Sequence, residues 1–351
     1  MKCYPSLMLV IVCLFSCSDK PEEPPDAQAP QLAFRLALEL KPDTKIWEAS
    51  HLFKQELEKA SQADDIEEGE ISVNFYDQGA IGTERQLLEA CYMGVIEVVQ
   101  VNTSVVTTIE PTYAILNLPY LFINQAHHHR VLQGEIGQEM LDMLTNHKLQ
   151  GLNFYSAGFR NIFYKSPPDQ PCANTREGFK GLKVRVMESP VMISSINAMG
   201  ASATPIPFSE LYQALKTGVV DGAENSAKVF VSYNYQETGC NCFTLTEHST
   251  DQHVLIANAD WLNSIEPKYK KRILEVAKAI NERYDAIWEA TTQQAIDQME
   301  AQQVRVNPLA DREAFITSVK EVHRHFFEMY PDVSRTLYDR ITHQSTPYAT
   351  N

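Results

Sequence analysis

GLKVRVMESPVMISSINAMGASATPIPFSELYQALKTGVVDGAEN, residues 181–225, reads as strand, helix, loop, helix and strand. Leu182, Val184 and Val186 alternate with Lys183 and Arg185, the period of two that a strand imposes on its faces. Ser189-Pro190 is an N-cap and first-turn pair, Met192, Ile196 and Met199 share a helical face, and Gly200 closes that helix. Ser209 is placed to cap a second helix, with Leu211, Ala214 and Leu215 inward and Gly218 at its end. Val219-Val220 then opens a strand that stops at Asp221-Gly222. This order puts Arg185 near the carboxyl end of one strand and Glu224-Asn225 just past the end of another. Ligands of open α/β sheets bind in the crevice beyond those ends. An arginine there suits a carboxylate or phosphate, because its planar fork donates two parallel hydrogen bonds. An arginine in a structural ion pair would read the same way.

Working outward, the 351 residues are enough for two domains. Charged residues at 21% and apolar ones at 44% describe a folded soluble protein. A formal charge of −15 argues against a nucleic-acid partner, which needs a basic face. Residues 1–17, MKCYPSLMLVIVCLFSC, carry Lys2, an apolar run from Leu7 to Phe15 and then Ser16-Cys17. That run is too short to cross a bilayer as a helix and has the order of a secretory signal. Leu14-Phe15-Ser16-Cys17 resembles a bacterial lipobox, whose cysteine is lipidated and becomes the new N-terminus, although Phe15 replaces the usual small residue. Plain secretion is the alternative. The reading is a signal peptide over 1–16 and a Pro- and Glu-rich tether over 17–32.

Cys91, Cys172, Cys240 and Cys242 remain after the signal, in a compartment that permits a disulfide. Cys240 and Cys242 are too close together for a known zinc spacing, and no CxxC pair exists. The expectation is one bridge from Cys172 to Cys240 or Cys242, with free thiols the alternative.

Phe34–Leu40 suits a first strand, and Trp47, Leu52 or Phe53, Glu56 and Leu57 follow at helical spacing up to Ala60. Ile71–Tyr76 alternates as a second strand, Thr83 caps a helix carrying Leu87, Leu88 and Cys91 that ends at Gly94, and Val95–Val101 is a third strand. Alternating strands and helices imply a parallel, helix-covered sheet. Ala114–Phe122, broken by Pro119, reads as a connector beneath it. His127-His128-His129 begins a helix; neighbouring residues there point apart, so a solvated helix start is expected rather than a metal site. Leu149–Ser156 and His253–Ala257 read as strands, with a variable region after Asn225 and Asp260 as a cap. From Pro267 to Asn307 neither glycine nor proline occurs, and Ile273, Ala277, Ile280, Tyr284 and Ile287 form one stripe of a long helix suited to bracing two domains. The dinucleotide fingerprint GxGxxG, the P-loop, GxSxG and HExxH are all missing, and Asp221 with Glu224 is explained as well by turn and cleft hydrogen bonds as by acid–base catalysis. No enzyme, metal or cofactor is expected.

Together these segments resemble the substrate-binding proteins of tripartite ATP-independent periplasmic (TRAP) transporters, of the dicarboxylate-binding type. The matching pieces are YDQGAIGTERQLLEACYMG (76–94), LNLPYLF (116–122), SAGFRN (156–161), GLKVRV (181–186) and MGASATPIPFSELYQALKTGVVDGAEN (199–225), in the family's order. The resemblance implies an α/β, two-domain periplasmic binding protein with crossing strands and a long connecting helix. It sets domain I at 33–157 plus 252–288 and domain II at 158–251 plus 289–345. It makes Arg185 the central ligand arginine, Arg160 a second one, Asn225 a ligand amide, Phe208 a wall and Glu84 the acidic residue of the site. The implied ligand is a small organic acid, closest to a sugar acid such as a uronate, with a C4-dicarboxylate as the alternative. The implied partners are the transporter's membrane subunits, and the implied location is the periplasm, on a lipid anchor at Cys17. Three departures stand out. The loop after Arg160 is longer and carries Cys172, Lys228 is placed to alter the pocket rim, and Leu38-Glu39 stands where uronate binders often have histidine.

Overall fold

The computed structural model describes residues 30–285 and 288–344, with side chains 281–290 left aside. The signal, most of the tether and Cys17 lie outside the described residues, as does Ile287; the side chain of Tyr284 is also left aside. Among the described residues nine strands form one mixed sheet: β1 (Leu32–Leu38), β2 (Ile71–Tyr76), β3 (Val98–Asn102), β4 (Leu149–Tyr164), β5 (Lys183–Val186), β6 (Ser202–Pro205), β7 (Gly222–Asn225), β8 (Cys242–Asn258) and β9 (Arg305–Pro308). Their order is β2-β1-β3-β8-β4-β7-β5-β6, with β9 also on β8. β1, β2 and β3 run parallel, as do β5, β6 and β7. The long antiparallel strands β4 and β8 join these halves. β3 pairs with the end of β8, while β7 pairs with the end of β4 and β9 with the start of β8.

The apolar packing follows this division. One large cluster covers a face of both halves, from Val99 and Ile256 to Val186 and Ile196. On the other face the packing splits in two. Phe34, Phe53 and Ile273 form one cluster, and Phe163, Phe230 and Met299 form the other. The helix Pro267–Asp285 packs on the helix Lys45–Glu58, and the next helix, Trp288–Ala301, packs on the helix Ala227–Ser232. The pair therefore touches both halves, as a brace would. Thr83 caps its helix with a complete capping box, because Gln86 returns a bond to its backbone.

Several expectations are corrected. The helix ending at Gly218 (φ 75) folds Val219 and Val220 back onto the carbonyl of Ala214, so their apolar pair is spent on a helix end. The strand instead begins at Gly222, where any side chain would run into Phe163 O, and Glu224-Asn225 lie within it. Ser189 stands at its N-cap with Pro190 in the first turn, as expected, although its side chain makes no capping bond; Ser209 is no cap, because a 3-10 turn, Phe208–Glu210, leads into the helix Leu211–Thr217. Asn258, rather than Asp260, caps the helix Ala259–Ser264. The expected long helix does not reach Asn307: the helix Trp288–Ala301 stops at Ala301, Gln303 turns the chain at φ 64, and Arg305–Pro308 pairs with β8. His127 and His128 are buried, not solvated: His127 Nε2 donates to Ile341 O (2.8 Å), and burial pushes His128 down to about 3.

Cys172 is bridged to Cys242, with Cα atoms 5.6 Å apart. Cys240 sits in the Phe163 cluster with Thr238 at its sulfur, on a different apolar layer from Cys242, and remains a free buried thiol. The bridge spans a sequence separation of 70 and ties the longer loop after β4 to the central strand β8. Such links typically contribute about 2–4 kcal/mol.

Candidate functional site

Arg185, third residue of β5, is 1% exposed. Its Nε donates to Ile206 O (2.8 Å), and the guanidinium lies 5.7 Å from the Phe208 ring centroid. One terminal nitrogen, NH1, is buried with no hydrogen-bond partner. Burial lowers the Arg185 pKa, with Glu224 opposing. Among the described residues no carboxylate forms an ion pair with it. An orphaned buried donor is unusual and calls for an acceptor.

Arg160 is the contrast. It stands on β4 between two register shifts of the β4–β8 ladder. Its Nε and NH2 bond both oxygens of Glu224, NH2 also donates to Glu224 O (2.9 Å), and NH1 donates to Asp251 Oδ1 (2.5 Å). One guanidinium thus fastens β7 and β8 to β4. Burial alone would raise both carboxylate pKa values, yet Arg160 holds Glu224 and Asp251 below their ordinary range, with histidines 248 and 253 assisting. Burial alone would likewise lower the Arg160 pKa, but the two carboxylates raise it.

From Asp251 the network crosses to the other half of the sheet. Asn102 Nδ2 donates to Asp251 Oδ1 (3.0 Å), and Asn102 N donates to Glu84 Oε1 (3.0 Å). His253 lies between, 3.7 Å from Asp251 and 3.5 Å from Glu84. Glu84 N donates to Glu39 Oε2 (3.1 Å), and Ser209 N donates to Glu39 Oε1 (2.9 Å). Burial lifts the Glu84 pKa to about 7, with His253 opposing and Glu39 adding to the rise.

Glu39, Glu84, Arg185, Met187 and Phe208 are among the residues lining a cavity of about 230 Å³ that opens to solvent. A recess of about 20 Å³ shares Glu84, Arg185, Met187 and Phe208 with it and adds Arg160, Asn225, Asp251 and His253. All five residues singled out in the sequence, Arg185, Arg160, Asn225, Phe208 and Glu84, therefore line one recess. Sequence reasoning did not pick out Glu39, Asn102, Asp251 and His253 as site residues. The one available signal was Asp251 and His253, charged or polar residues beside the apolar run Val254–Ala257. Lys228 does not line the cavity. Its Nζ pairs with Asp43 Oδ1 (2.7 Å), while Ser232 Oγ donates to Asp43 O (2.6 Å) and Lys41 N to the Tyr233 hydroxyl (3.1 Å). These contacts draw the segment after β1 against the helix Ala227–Ser232.

A buried, partly unsatisfied arginine near a strand end, facing a cavity between two sheet halves, is suited to holding an anion. Residues 37–329 match the family described as bacterial extracellular solute-binding protein, family 7. A solute-binding protein of Chromohalobacter salexigens is 29% identical over 78% of this chain and 80% of its own length. Among solved structures, a TRAP periplasmic solute binding protein from Xanthobacter autotrophicus with bound beta-D-galacturonate aligns with a TM-score of 0.79 at 28% identity, covering 89% of this chain and 99% of that one. Another from Chromohalobacter salexigens, with bound D-glucuronate, gives 0.81 at 26% identity over 89% and 99%. With the family pattern spanning most of the chain and the same fold in these structures, the chain belongs to family 7 of the bacterial extracellular solute-binding proteins, those of TRAP transporters.

Proposed function

We propose that this protein captures a small organic acid outside the cytoplasm, a sugar acid such as a uronate, and delivers it to the membrane subunits of a TRAP transporter. The observation that carries this reading is the Arg185 guanidinium, buried beside the cavity with NH1 lacking a partner. A ligand carboxylate supplies the missing acceptor and the missing countercharge together. The galacturonate and glucuronate in the similar structures support a uronate over a C4-dicarboxylate. In this reading Phe208 is a wall, Asn225 and Glu84 bond the ligand's polar groups, and Arg160 acts mainly by fixing Glu224 and Asp251 around the recess.

Domain boundaries at 157/158 and 251/252 are supported by the ladder itself. Its register shifts between Ser156 and Phe159, opposite Gln252 and Thr250, where Gly158 adopts φ 114. Hinge motion there opens the cleft, and ligand contacts to both halves favour closure. A ligand sensor that delivers nothing would use the same cleft. A thermal-shift panel of sugar acids and dicarboxylates tests the reading, since a ligand at 100 times its Kd adds about 2.7 kcal/mol of stability. A shift with uronates is expected; a panel without any acid that stabilises the protein would overturn the assignment.

The lipobox-like end of the signal further supports a lipid anchor on Cys17. Labelled palmitate in a Gram-negative host should mark the wild type and not Cys17→Ser. Label in neither would leave plain secretion, with Phe15 as the reason.

A further inference from the structure

We propose that Glu39 and Glu84 set the specificity of the cavity, selecting an acid with a single charge and several hydroxyls and turning away one with a second carboxylate. This rests on Arg185 being the carboxylate dock. Arg160 is already held by Glu224 and Asp251, so Arg185 is the one buried guanidinium of the site left for a ligand. Glu39 and Glu84 line the same cavity of about 230 Å³. A diacid anchored on Arg185 in so small a space brings its second carboxylate against these two, and like charges in a desolvated site repel strongly. Arg85 also lines the cavity, but it is exposed, where water and salt screen it, and exposed Glu188 lines the same cavity.

The same two carboxylates welcome hydroxyls. A carboxylate oxygen accepts two hydrogen bonds. Glu39 Oε1 and Oε2 and Glu84 Oε1 take backbone N–H groups from Ser209, Glu84 and Asn102. Those bonds hold the carboxylates in place and leave each oxygen an acceptor site for a ligand hydroxyl. The groups facing Glu84 are Glu39, Asp251 and His253, with Arg185 on the same cavity. Burial and Glu39 already oppose its ionisation, so a further anion alongside would have to bring a proton with it.

Two matched pairs test this by calorimetry at pH 8: D-glucuronate against D-glucarate, and D-galacturonate against galactarate. Within each pair the second acid places a carboxylate where the first carries none. The wild type should prefer the uronate by about 30-fold or more. Glu84→Gln and Glu39→Gln, each measured on protein with a cooperative melt, should narrow that preference by about fivefold or more, because glutamine keeps the shape and removes the charge. A diacid that binds the wild type as tightly as its uronate overturns the inference and leaves the Arg185 dock standing. So does a preference unchanged in both variants. If none of the four acids binds the wild type, the sugar-acid reading falls with it.

Discussion

Arg185→Lys is expected to weaken acid binding by about 30-fold to several thousand-fold. The guanidinium is 1% exposed, and its NH1 has no partner, so a bound carboxylate meets a desolvated cation. Truncating one member of such a pair costs roughly 2–5 kcal/mol, which converts to that range of Kd. Lysine keeps the charge but is a point ammonium. It cannot donate two parallel bonds, and it loses the guanidinium's place over the Phe208 ring. Lys183 on the same strand is exposed, so Lys183→Ala is the control and should bind as the wild type does. Calorimetry with whichever acid the panel finds reads both variants. Equal affinity for Arg185→Lys and wild type would mean that the carboxylate is held elsewhere.

Arg160→Met is expected to cost about 3–5 kcal/mol of folding stability at neutral pH, measured by urea unfolding. The substitution leaves Glu224 and Asp251 buried without their cation, and breaking a buried pair from one side costs that much. The sign of the pH dependence follows from the lowered carboxylate pKa values. Stability from a group whose folded pKa is depressed is present above its unfolded pKa, near 4, and is lost as pH falls through the folded value. The difference between wild type and variant should therefore be largest near pH 7 and shrink below about pH 4. A variant within about 1 kcal/mol of the wild type at pH 7 would show that Arg160 does not hold the recess together.

Elements whose signals are local were legible in the sequence. Thr83 as a cap, the alternation of Ile71–Tyr76, and Gly200 and Gly218 at helix ends all specify structure within four or five residues. Elements built around the site were not. The first part of β8, CFTLTEHSTDQ (242–252), pairs with β4 as a strand, yet its buried residues include Thr244, Thr246, His248 and Asp251. A strand that turns polar side chains inward shows no apolar alternation. The same cause hid the partners of Arg160, which come from positions 64 and 91 residues away. Sequence reasoning weighed a structural ion pair for Arg185; the structure gives that arrangement to Arg160 and leaves Arg185 without one. Residue type alone does not separate two arginines whose difference lies in distant carboxylates.

The central position of β8 bears on how the chain is made. β3 finds its second neighbour, and β4 its longest one, only in residues 242–258. Until a ribosome has completed that segment, the two parallel triplets have no common strand to join them. The exposed edges of β3 and β4 invite aggregation in the meantime.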